Sequence, residues 1–482
     1  MAGYLVVALL RVAYPYDLEF IEDGMLMQAV RMAQGLPTYL PPNAGFVPHA
    51  YPPLYPWLGS WLLRLTGPAL WPLRALSLAA TLASALLIFA ISRRESRETV
   101  VAAAGAALFL AGNRLMGGWY ELARVDALFV TLALAGMALA VYRQRTVGGL
   151  IGSALLLVAA FYTKQQGLFF LAIAGLYLVW ARRRQAWPYL AAAALAGIPV
   201  FFYLQATTGG GFAYYTFAIQ GGSSELQGSR AVLTLGLDFG GGMGVLVLAF
   251  LAAGVFAARR LGRRFFLVQP WFLFTAAAVA VAVLGRSSVG GNLNHLMPAY
   301  ALLCLAPALL WAEAALWPQR RQRLVAWLLG TALVLQLGLT LFNPVRSLTG
   351  ATLPLRLTPT AAMRQAGDRL IARLAAVEGD VLIPQHPFYA LLAGKMPSVQ
   401  ISALWHARHR GRDPLPADLA DRLQSHAYAL IVSDDSDYFE TDPGWMALLT
   451  TYYRPAGTLD STEAPPTLSG VLVRPRTIYV PR

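Results

Sequence analysis

Long apolar runs separated by short polar segments fill the first 343 residues of the chain. Their lengths approach the ~20 residues that a helix needs to cross a bilayer. The runs cover residues 2–14, 68–92, 99–113, 125–142, 147–163, 167–181, 186–205, 241–258, 266–285, 296–316 and 324–342. This pattern predicts a polytopic α-helical membrane protein, with about eleven transmembrane helices within residues 1–343.

A different pattern begins at residue 344, where short apolar segments alternate with amphipathic ones. The predicted helices are 358–377, 388–393 and 415–425, and the predicted strands are 379–384, 398–401 and 428–433. Alternating strands and helices are typical of α/β folds with partly parallel pairing. We therefore expect residues 344–482 to form a small soluble α/β domain.

Clusters of arginine predict how the chain is oriented in the membrane. Fifteen arginines lie in five short loops, which all fall on one side if the eleven runs alternate. The clusters are Arg93/Arg94/Arg97, Arg143/Arg145, Arg182/Arg183/Arg184, Arg259/Arg260/Arg263/Arg264 and Arg320/Arg321/Arg323. The positive-inside rule makes that side cytoplasmic. The first external loop (15–67), the long loop 206–240 and the C-terminal domain then lie outside, which predicts an inner-membrane protein with an extracytoplasmic C-terminal domain.

Composition excludes several classes of protein. Hydrophobic residues make up 57% of the chain and charged residues 13%, against roughly 25% charged residues in soluble domains, so the chain is neither soluble throughout nor disordered. The arginine clusters account for the net charge of +14, which indicates lipid headgroups rather than nucleic acid as the partner. The single cysteine, Cys304, excludes a disulfide framework and a cysteine-based metal site.

The densest group of candidate catalytic residues follows the first apolar run. Asp17, Glu19, Glu22 and Asp23 lie within seven residues. A helix over 19–34 would place Glu19 and Asp23 on one face. Such acids bind sugar hydroxyls, act as a general base or hold a divalent cation such as Mg²⁺ or Mn²⁺. The alternative is a solvated loop whose acids favour a helix N-terminus, and no metal ligand is assigned.

Three further groups of polar residues lie at the predicted outer ends of the helices. Arg124 and Asp126 open the fourth run and either bind substrate or form a structural ion pair. Lys164, followed by Gln165, either binds a phosphate or is a snorkelling anchor. Arg286, Asn294 and His295 either bind substrate or belong to a polar turn with a helix cap.

Aromatic residues and histidines complete the set of candidates. Tyr51 and Tyr55 lie in the segment FVPHAYPPLYPWL and either stack on sugar rings or belong to an interfacial aromatic belt. His386, His406 and His409 show no spacing typical of metal ligands, and we expect them at the surface.

Several segments in order along the chain carry a family resemblance. They are PYDLEFIEDGMLMQAVRMAQGLPTY, FVPHAYPPLYP, WYELARVDALF, FYTKQQ, GGNLNHLMPAYA and VLIPQHPFYALLAGK. These segments resemble the polytopic bacterial glycosyltransferases of the GT-C fold, similar to the protein mannosyltransferase and aminoarabinose transferase group (glycosyltransferase family 39-like). The family pattern places functional residues at Asp17, Glu19, Glu22, Arg124, Asp126, Lys164 and Asn294. Asp23 departs from it, because close relatives often have glycine there, and Glu19 stands roughly where better-studied branches carry a catalytic aspartate.

The resemblance implies an activity. A monosaccharide on a polyprenyl phosphate would be transferred with inversion to a lipid, glycan or protein outside the cytoplasm. Glu19 is the expected base, with Glu22 as the alternative and Asp17 orienting the loop. Two readings from other classes remain open: a transporter or flippase of lipid-linked sugars, and a non-catalytic glycan-binding relative. A polysaccharide polymerase or ligase fits less well, because such enzymes usually rely on a large central outer loop rich in Arg and His.

Overall fold

The computed structural model describes residues 2–219, 227–288, 290–342, 357–434 and 442–482. Most of the first 342 residues are helical. The main helices are Ala2–Val12, Glu22–Ala33, Leu54–Thr66, Leu70–Ser96, Thr99–Ala111, Asp126–Tyr142, Val147–Thr163, Gly167–Arg182, Trp187–Thr207, Gly244–Leu261, Pro270–Ser287, Met297–Leu303, Ala306–Ala314 and Gln319–Phe342. Short helical turns connect several of them, at Arg183–Ala186, Gly211–Ala213, Tyr214–Ala218, Gly228–Leu233, Thr234–Gly242, Gly262–Arg264, Phe265–Val268 and Leu293–Leu296.

Six helical segments among the described residues are long and apolar enough to cross a membrane. One of them, Gly167–Thr207, covers two predicted runs and contains the 3₁₀ turn Arg183–Ala186. Four shorter apolar helices coincide with four further predicted runs; they are Ala2–Val12, Thr99–Ala111, Asp126–Tyr142 and Val147–Thr163. The protein is thus a multi-pass membrane protein, and the count of eleven helices stays a prediction.

Close packing between neighbouring helices builds the core of the membrane region. The helix Val147–Thr163 begins at a cap, where the Thr146 side chain accepts a hydrogen bond from the Gly149 amide. It packs against the helix Asp126–Tyr142, and a Cβ added at Gly136 would lie 2.6 Å from the Leu157 side chain. Glycine at such a contact lets two membrane helices approach closely.

The predicted long loop over 206–240 is mostly helical where the structure describes it. Phe212 and Tyr215 are buried there, and their rings pack against Tyr39 of the loop that follows the first helix at centroid distances of 5.6 and 6.2 Å. Burial of these aromatic rings stabilises the position of this segment, which the sequence alone predicts to be a loop.

The C-terminal segment forms a four-stranded mixed sheet with helices around it. The strands are β1 (Asp380–Leu382), β2 (Tyr428–Asp434), β3 (Tyr453–Thr458) and β4 (Pro475–Pro481), in the order β1-β2-β4-β3. β1 and β2 are parallel, and β4 is antiparallel to both β2 and β3. The helices are Ala361–Ala375, Pro387–Leu392, Ile401–Ala407, Ala417–Gln424 and Pro443–Tyr452.

The predicted strand over 398–401 is wrong. A helix begins at Ile401, because the Gln400 side chain caps it by accepting a hydrogen bond from the Ala403 amide at 2.8 Å. The proposed domain boundary between residues 343 and 344 lies outside the described residues.

Candidate functional site

The four acids after the first helix are all buried, which excludes the solvated-loop alternative. The helix here begins at Glu22 rather than at residue 19, so Glu19 belongs to the preceding turn. The turn is closed by a hydrogen bond from the Glu22 amide to the Glu19 carbonyl at 2.9 Å. Because buried carboxylates are costly unless paired, the partner of each acid indicates what that acid does.

Glu22 is fully occupied by structural contacts. Its Oε1 accepts hydrogen bonds from the Ala123 amide (2.6 Å) and the Arg74 Nε (2.9 Å). Its Oε2 accepts from the Leu18 amide (2.7 Å) and from Arg74 Nη2 (2.6 Å). Arg74 also donates to three carbonyl oxygens of the preceding segment, those of Arg11, Tyr14 and Tyr16. The pair therefore fixes the first loop to the helix Leu70–Ser96.

Glu19 forms an ion pair with Arg124, at 2.5 Å between Oε2 and Nη1. Arg124 Nη2 also donates to the Tyr51 hydroxyl at 3.0 Å, which joins three predicted site residues. Burial raises the pKa of Glu19 to about 7; Arg124 opposes this rise, and Glu22 adds to it. The backbone of Gly470, at a φ of +69°, lies so close that a Cβ there would be 2.8 Å from Glu19 Cγ.

Asp126 and Lys164 form a second buried ion pair, at 2.6 Å. Asn294 Nδ2 donates to the same Asp126 oxygen at 3.1 Å. The predicted pair between Arg124 and Asp126 is therefore replaced by two separate pairs. Lys164 is 3% exposed, so it is not a snorkelling anchor, and the chain brings Asp126, Lys164 and Asn294 together from three different segments.

His295 and Arg286 lie at the edge of this group. His295 lies within electrostatic range of both Lys164 and Asp126, and of Arg286 as well. Arg286 is partly exposed and pairs with Asp238 at 3.5 Å. These contacts place His295 beside the Lys164–Asp126 pair and Arg286 near His295.

Gln165 and Tyr55 are held by backbone carbonyls. Gln165 Nε2 donates to the Ala50 carbonyl at 2.5 Å and to the Thr216 carbonyl at 3.0 Å. The Tyr55 hydroxyl is fully buried and donates to the Leu73 carbonyl at 2.8 Å. Gln165 thus ties the loop that carries Tyr51 to the rest of the protein, whereas Tyr55 packs the first loop against the helix Leu70–Ser96.

Asp17 joins the first loop to the C-terminal segment. Its Oδ2 lies 2.6 Å from His386 Nδ1, and the Tyr389 hydroxyl donates to its Oδ1. His386 Nε2 lies 2.8 Å from Asp434 Oδ2 at the end of β2. Asp23 is buried nearby and accepts a hydrogen bond from a backbone amide of the same C-terminal helix at 3.3 Å.

The expected surface position of the three C-terminal histidines is wrong for His386, which is fully buried, whereas His409 is exposed and His406 is partly exposed. The sequence gives no signal for the contact of His386 with Asp17 and Asp23, because these acids lie more than 360 residues away along the chain. Arg74 was not among the residues predicted from the sequence. It lies inside an apolar run, and such an arginine indicates a buried ion pair, because charges in membrane segments are rare and usually paired.

The candidate site and the arginine clusters lie at opposite ends of the same helices. The helix Leu70–Ser96 begins near Arg74 and ends at Arg93 and Arg94. Its 27 residues give a length of about 40 Å, which matches a bilayer with its headgroups. The site is thus about one membrane thickness away from this cluster.

Comparison with known proteins identifies the fold. The family model described as dolichyl-phosphate-mannose-protein mannosyltransferase matches residues 50–204. ArnT from Cupriavidus metallidurans bound to undecaprenyl phosphate is similar in structure, with a TM-score of 0.61 at 12% identity over 99% of this chain and 96% of that one. AglB from Archaeoglobus fulgidus, in complex with an inhibitory peptide and a dolichol-phosphate, has a TM-score of 0.51 at 12% identity, covering 96% of this chain and 73% of that one.

No curated protein sequence matches the chain significantly. The structural similarity nevertheless extends over almost the whole chain and over almost the whole of ArnT. The chain is therefore a membrane protein of the GT-C fold, similar to the protein mannosyltransferase and aminoarabinose transferase group.

Proposed function

We propose that the protein is a glycosyltransferase that moves a monosaccharide from a polyprenyl-phosphate donor to an acceptor outside the cytoplasm. The observation that carries this proposal is Glu19, a buried carboxyl group with a pKa raised to about 7 beside Arg124. The GT-C fold supports it, as does the lipid phosphate that ArnT binds in the similar structure. General base catalysis is most efficient when the pKa of the base lies near the operating pH.

In the proposed reaction, Glu19 accepts the proton of an acceptor hydroxyl while the acceptor oxygen attacks the anomeric carbon. The bond between that carbon and the phosphate oxygen breaks, and the polyprenyl phosphate leaves with the electron pair. Attack opposite the leaving group inverts the anomeric configuration. Lys164 and Arg124, with Arg286 at the edge, would stabilise the charge on the departing phosphate.

Glu19 is preferred over the two other acids because of their hydrogen bonds. Both oxygens of Glu22 accept two hydrogen bonds each, so Glu22 has no lone pair left for a substrate proton. Asp17 is engaged by His386 and Tyr389. These contacts support structural roles for Glu22 and Asp17 and a proton-accepting role for Glu19.

The substrate-binding residues fall into two groups in this proposal. Lys164, Asn294 and Asp126 contact one another, and we assign the donor phosphate to Lys164 and the sugar hydroxyls to the amide and the carboxylate. Tyr51, bonded to Arg124, would stack on a sugar ring at the entrance. His295 and Gln165 border the same region, and Gln165 would act by positioning the loop of Tyr51.

The variant Glu19→Gln tests this reaction, because it keeps the shape of the side chain and removes the base. The measured product is free polyprenyl phosphate, released from a panel of polyprenyl-phosphate monosaccharides by purified protein in vesicles with envelope extract as the acceptor source. We expect Glu19→Gln to reduce release about 10²- to 10⁴-fold with little change in donor binding. The matched control is Glu463→Gln, whose carboxylate is 41% exposed in a surface ion pair.

The same assay separates the rival functions. A flippase would move the labelled donor between leaflets without releasing polyprenyl phosphate, and a glycan-binding relative would release none. If the wild type releases polyprenyl phosphate and Glu19→Gln releases it equally fast, Glu19 is not the base.

The proposed orientation places the site and the C-terminus outside the inner membrane. It rests on the separation of the site from the arginine clusters, which the positive-inside rule assigns to the cytoplasm. Reporter fusions at residues 95, 183, 262 and 321 should report the cytoplasm, and a fusion at residue 482 should report the exterior. A cytoplasmic signal at residue 482 would contradict the orientation.

A further inference from the structure

Three buried side chains meet where the first external loop contacts the C-terminal segment. Asp17, Asp23 and His386 each offer one ligand atom, and these atoms lie within 4.8 Å of one another. We propose that they bind a divalent transition-metal ion, with Zn²⁺ as the preferred ion, and that the ion fastens the C-terminal segment to the loop. This proposal does not depend on the transferase activity.

The contacts of His386 present its Nδ1 to the two acids. His386 Nε2 lies 2.8 Å from Asp434 Oδ2, and a carboxylate that accepts the Nε2 proton leaves Nδ1 as the nitrogen that can bind an ion. Nδ1 lies 2.6 Å from Asp17 Oδ2, which is a hydrogen-bond distance. An ion that binds both atoms would replace the proton between them, because metal binding to histidine releases protons. A carboxylate behind a ligand histidine is the usual outer support of metal sites, because it fixes the tautomer and the ring orientation.

Both carboxylates are oriented from behind as well. The Tyr389 hydroxyl donates to Asp17 Oδ1, which turns Oδ2 toward His386. The Phe388 amide donates to Asp23 Oδ2 at 3.3 Å. Each of the three ligand side chains therefore has a second contact outside the cluster.

One carboxylate oxygen of Asp23 supports the metal site independently of the cluster geometry. Asp23 is fully buried, and its Oδ1 has no hydrogen-bond partner among the described residues. A buried polar atom without a partner costs about 1–3 kcal/mol, and more if it is charged. A cation at the cluster would satisfy this oxygen.

The ligand types select the class of metal. One imidazole nitrogen with two carboxylate oxygens suits Zn²⁺ and, less strongly, Mn²⁺, whereas Mg²⁺ and Ca²⁺ prefer oxygen ligands alone. The nitrogen ligand therefore favours Zn²⁺ over the Mg²⁺ considered for the acids from sequence. Because Asp17 and Asp23 flank Glu19 and Glu22, the ion would also hold the turn that carries Glu19.

Metal content of the purified full-length chain tests the proposal. After chelation and equilibration with ZnCl₂, elemental analysis should find about one Zn²⁺ per chain. Asp23→Asn and His386→Gln should lose this ion, and Asp434→Asn should weaken its affinity about 10- to 100-fold. The matched control is His409→Gln, an exposed histidine whose contact is Asp413 in the same loop, and this variant should keep the ion.

Two measurements on the wild type keep the test decisive if the variants fold poorly. Added Zn²⁺ should raise the unfolding temperature of the chelated wild type, and X-ray absorption of the zinc-loaded protein should show oxygen and nitrogen ligands near 2.0–2.2 Å, including one imidazole. Equal zinc in the wild type and in folded His386→Gln would overturn the proposal. An unchanged unfolding temperature together with no bound metal would also overturn it.

Discussion

The buried pair between Glu22 and Arg74 provides the sharpest test of how the first loop is held. We consider Glu22→Gln, which keeps the size of the side chain and removes its charge. The amide group of glutamine has one acceptor oxygen and one NH₂ group. Whichever way it turns, its NH₂ group faces two donors, one from Arg74 and one from a backbone amide of Leu18 or Ala123.

The expected loss of stability follows from these contacts. Hydrogen bonds that involve a charged group contribute about 1.5–3 kcal/mol each, and two of the four at this carboxylate are lost. Arg74 also becomes a fully buried charge without its partner. Breaking a buried pair in this way costs about 3–5 kcal/mol, and we expect Glu22→Gln to lie in that range.

Cys304 makes the measurement direct. It is the single cysteine and is fully buried, so a thiol-reactive fluorophore reports unfolding of the detergent-solubilised protein on heating. The control Glu463→Gln removes one partner of an exposed pair at 3.1 Å, which should cost at most ~1 kcal/mol. If Glu22→Gln and Glu463→Gln unfold at the same temperature, the structural role assigned to Glu22 is refuted.

Two further predictions concern pH and the second ion pair. The pKa of Glu19, raised to about 7 by burial, predicts that kcat/KM rises with pH through about 7 and that Glu19→Gln loses this rise; a flat wild-type profile would contradict it. The same shift, from about 4.3 when unfolded, predicts that stability falls as pH rises between these values, because the folded state holds the proton more tightly. Lys164→Met leaves the buried Asp126 without its ion-pair partner and should cost about 3–5 kcal/mol. The double variant Lys164→Met/Asp126→Asn should recover part of this loss in the thiol assay, and no recovery would argue against the pair.

The apolar runs and the cluster of acids after the first run could be recognised from the sequence alone. Apolar runs long enough for a bilayer predict where helices form, because every backbone group in lipid must be bonded within its own helix. The six long apolar helical segments and the four shorter ones all fall on predicted runs. The segments around Glu19, Arg124 and Lys164 suggested the GT-C fold by their resemblance to that family, and the similarity to ArnT over 99% of this chain confirms the fold.

The pairing of the buried charges depends on contacts between distant parts of the chain. Neighbours in sequence suggested that Arg124 pairs with Asp126, but Arg124 pairs with Glu19 and Asp126 pairs with Lys164. Pairing depends on which helix ends meet, because rotating a helix by a fraction of a turn or shifting it along its axis changes the partner of a side chain. Side chains that are close in sequence at a helix start point in different directions, so spacing alone does not select between partners.

The separate roles of the acids likewise come from long-range contacts. Glu22 has a structural role because it pairs with Arg74 on another helix. Asp17 contacts His386 because the C-terminal segment packs against the first loop. Local patterns encode helix and strand positions through hydrogen bonding and burial. The environment of a carboxyl group, and with it the pKa of Glu19, is instead set by groups that only the folded chain brings together.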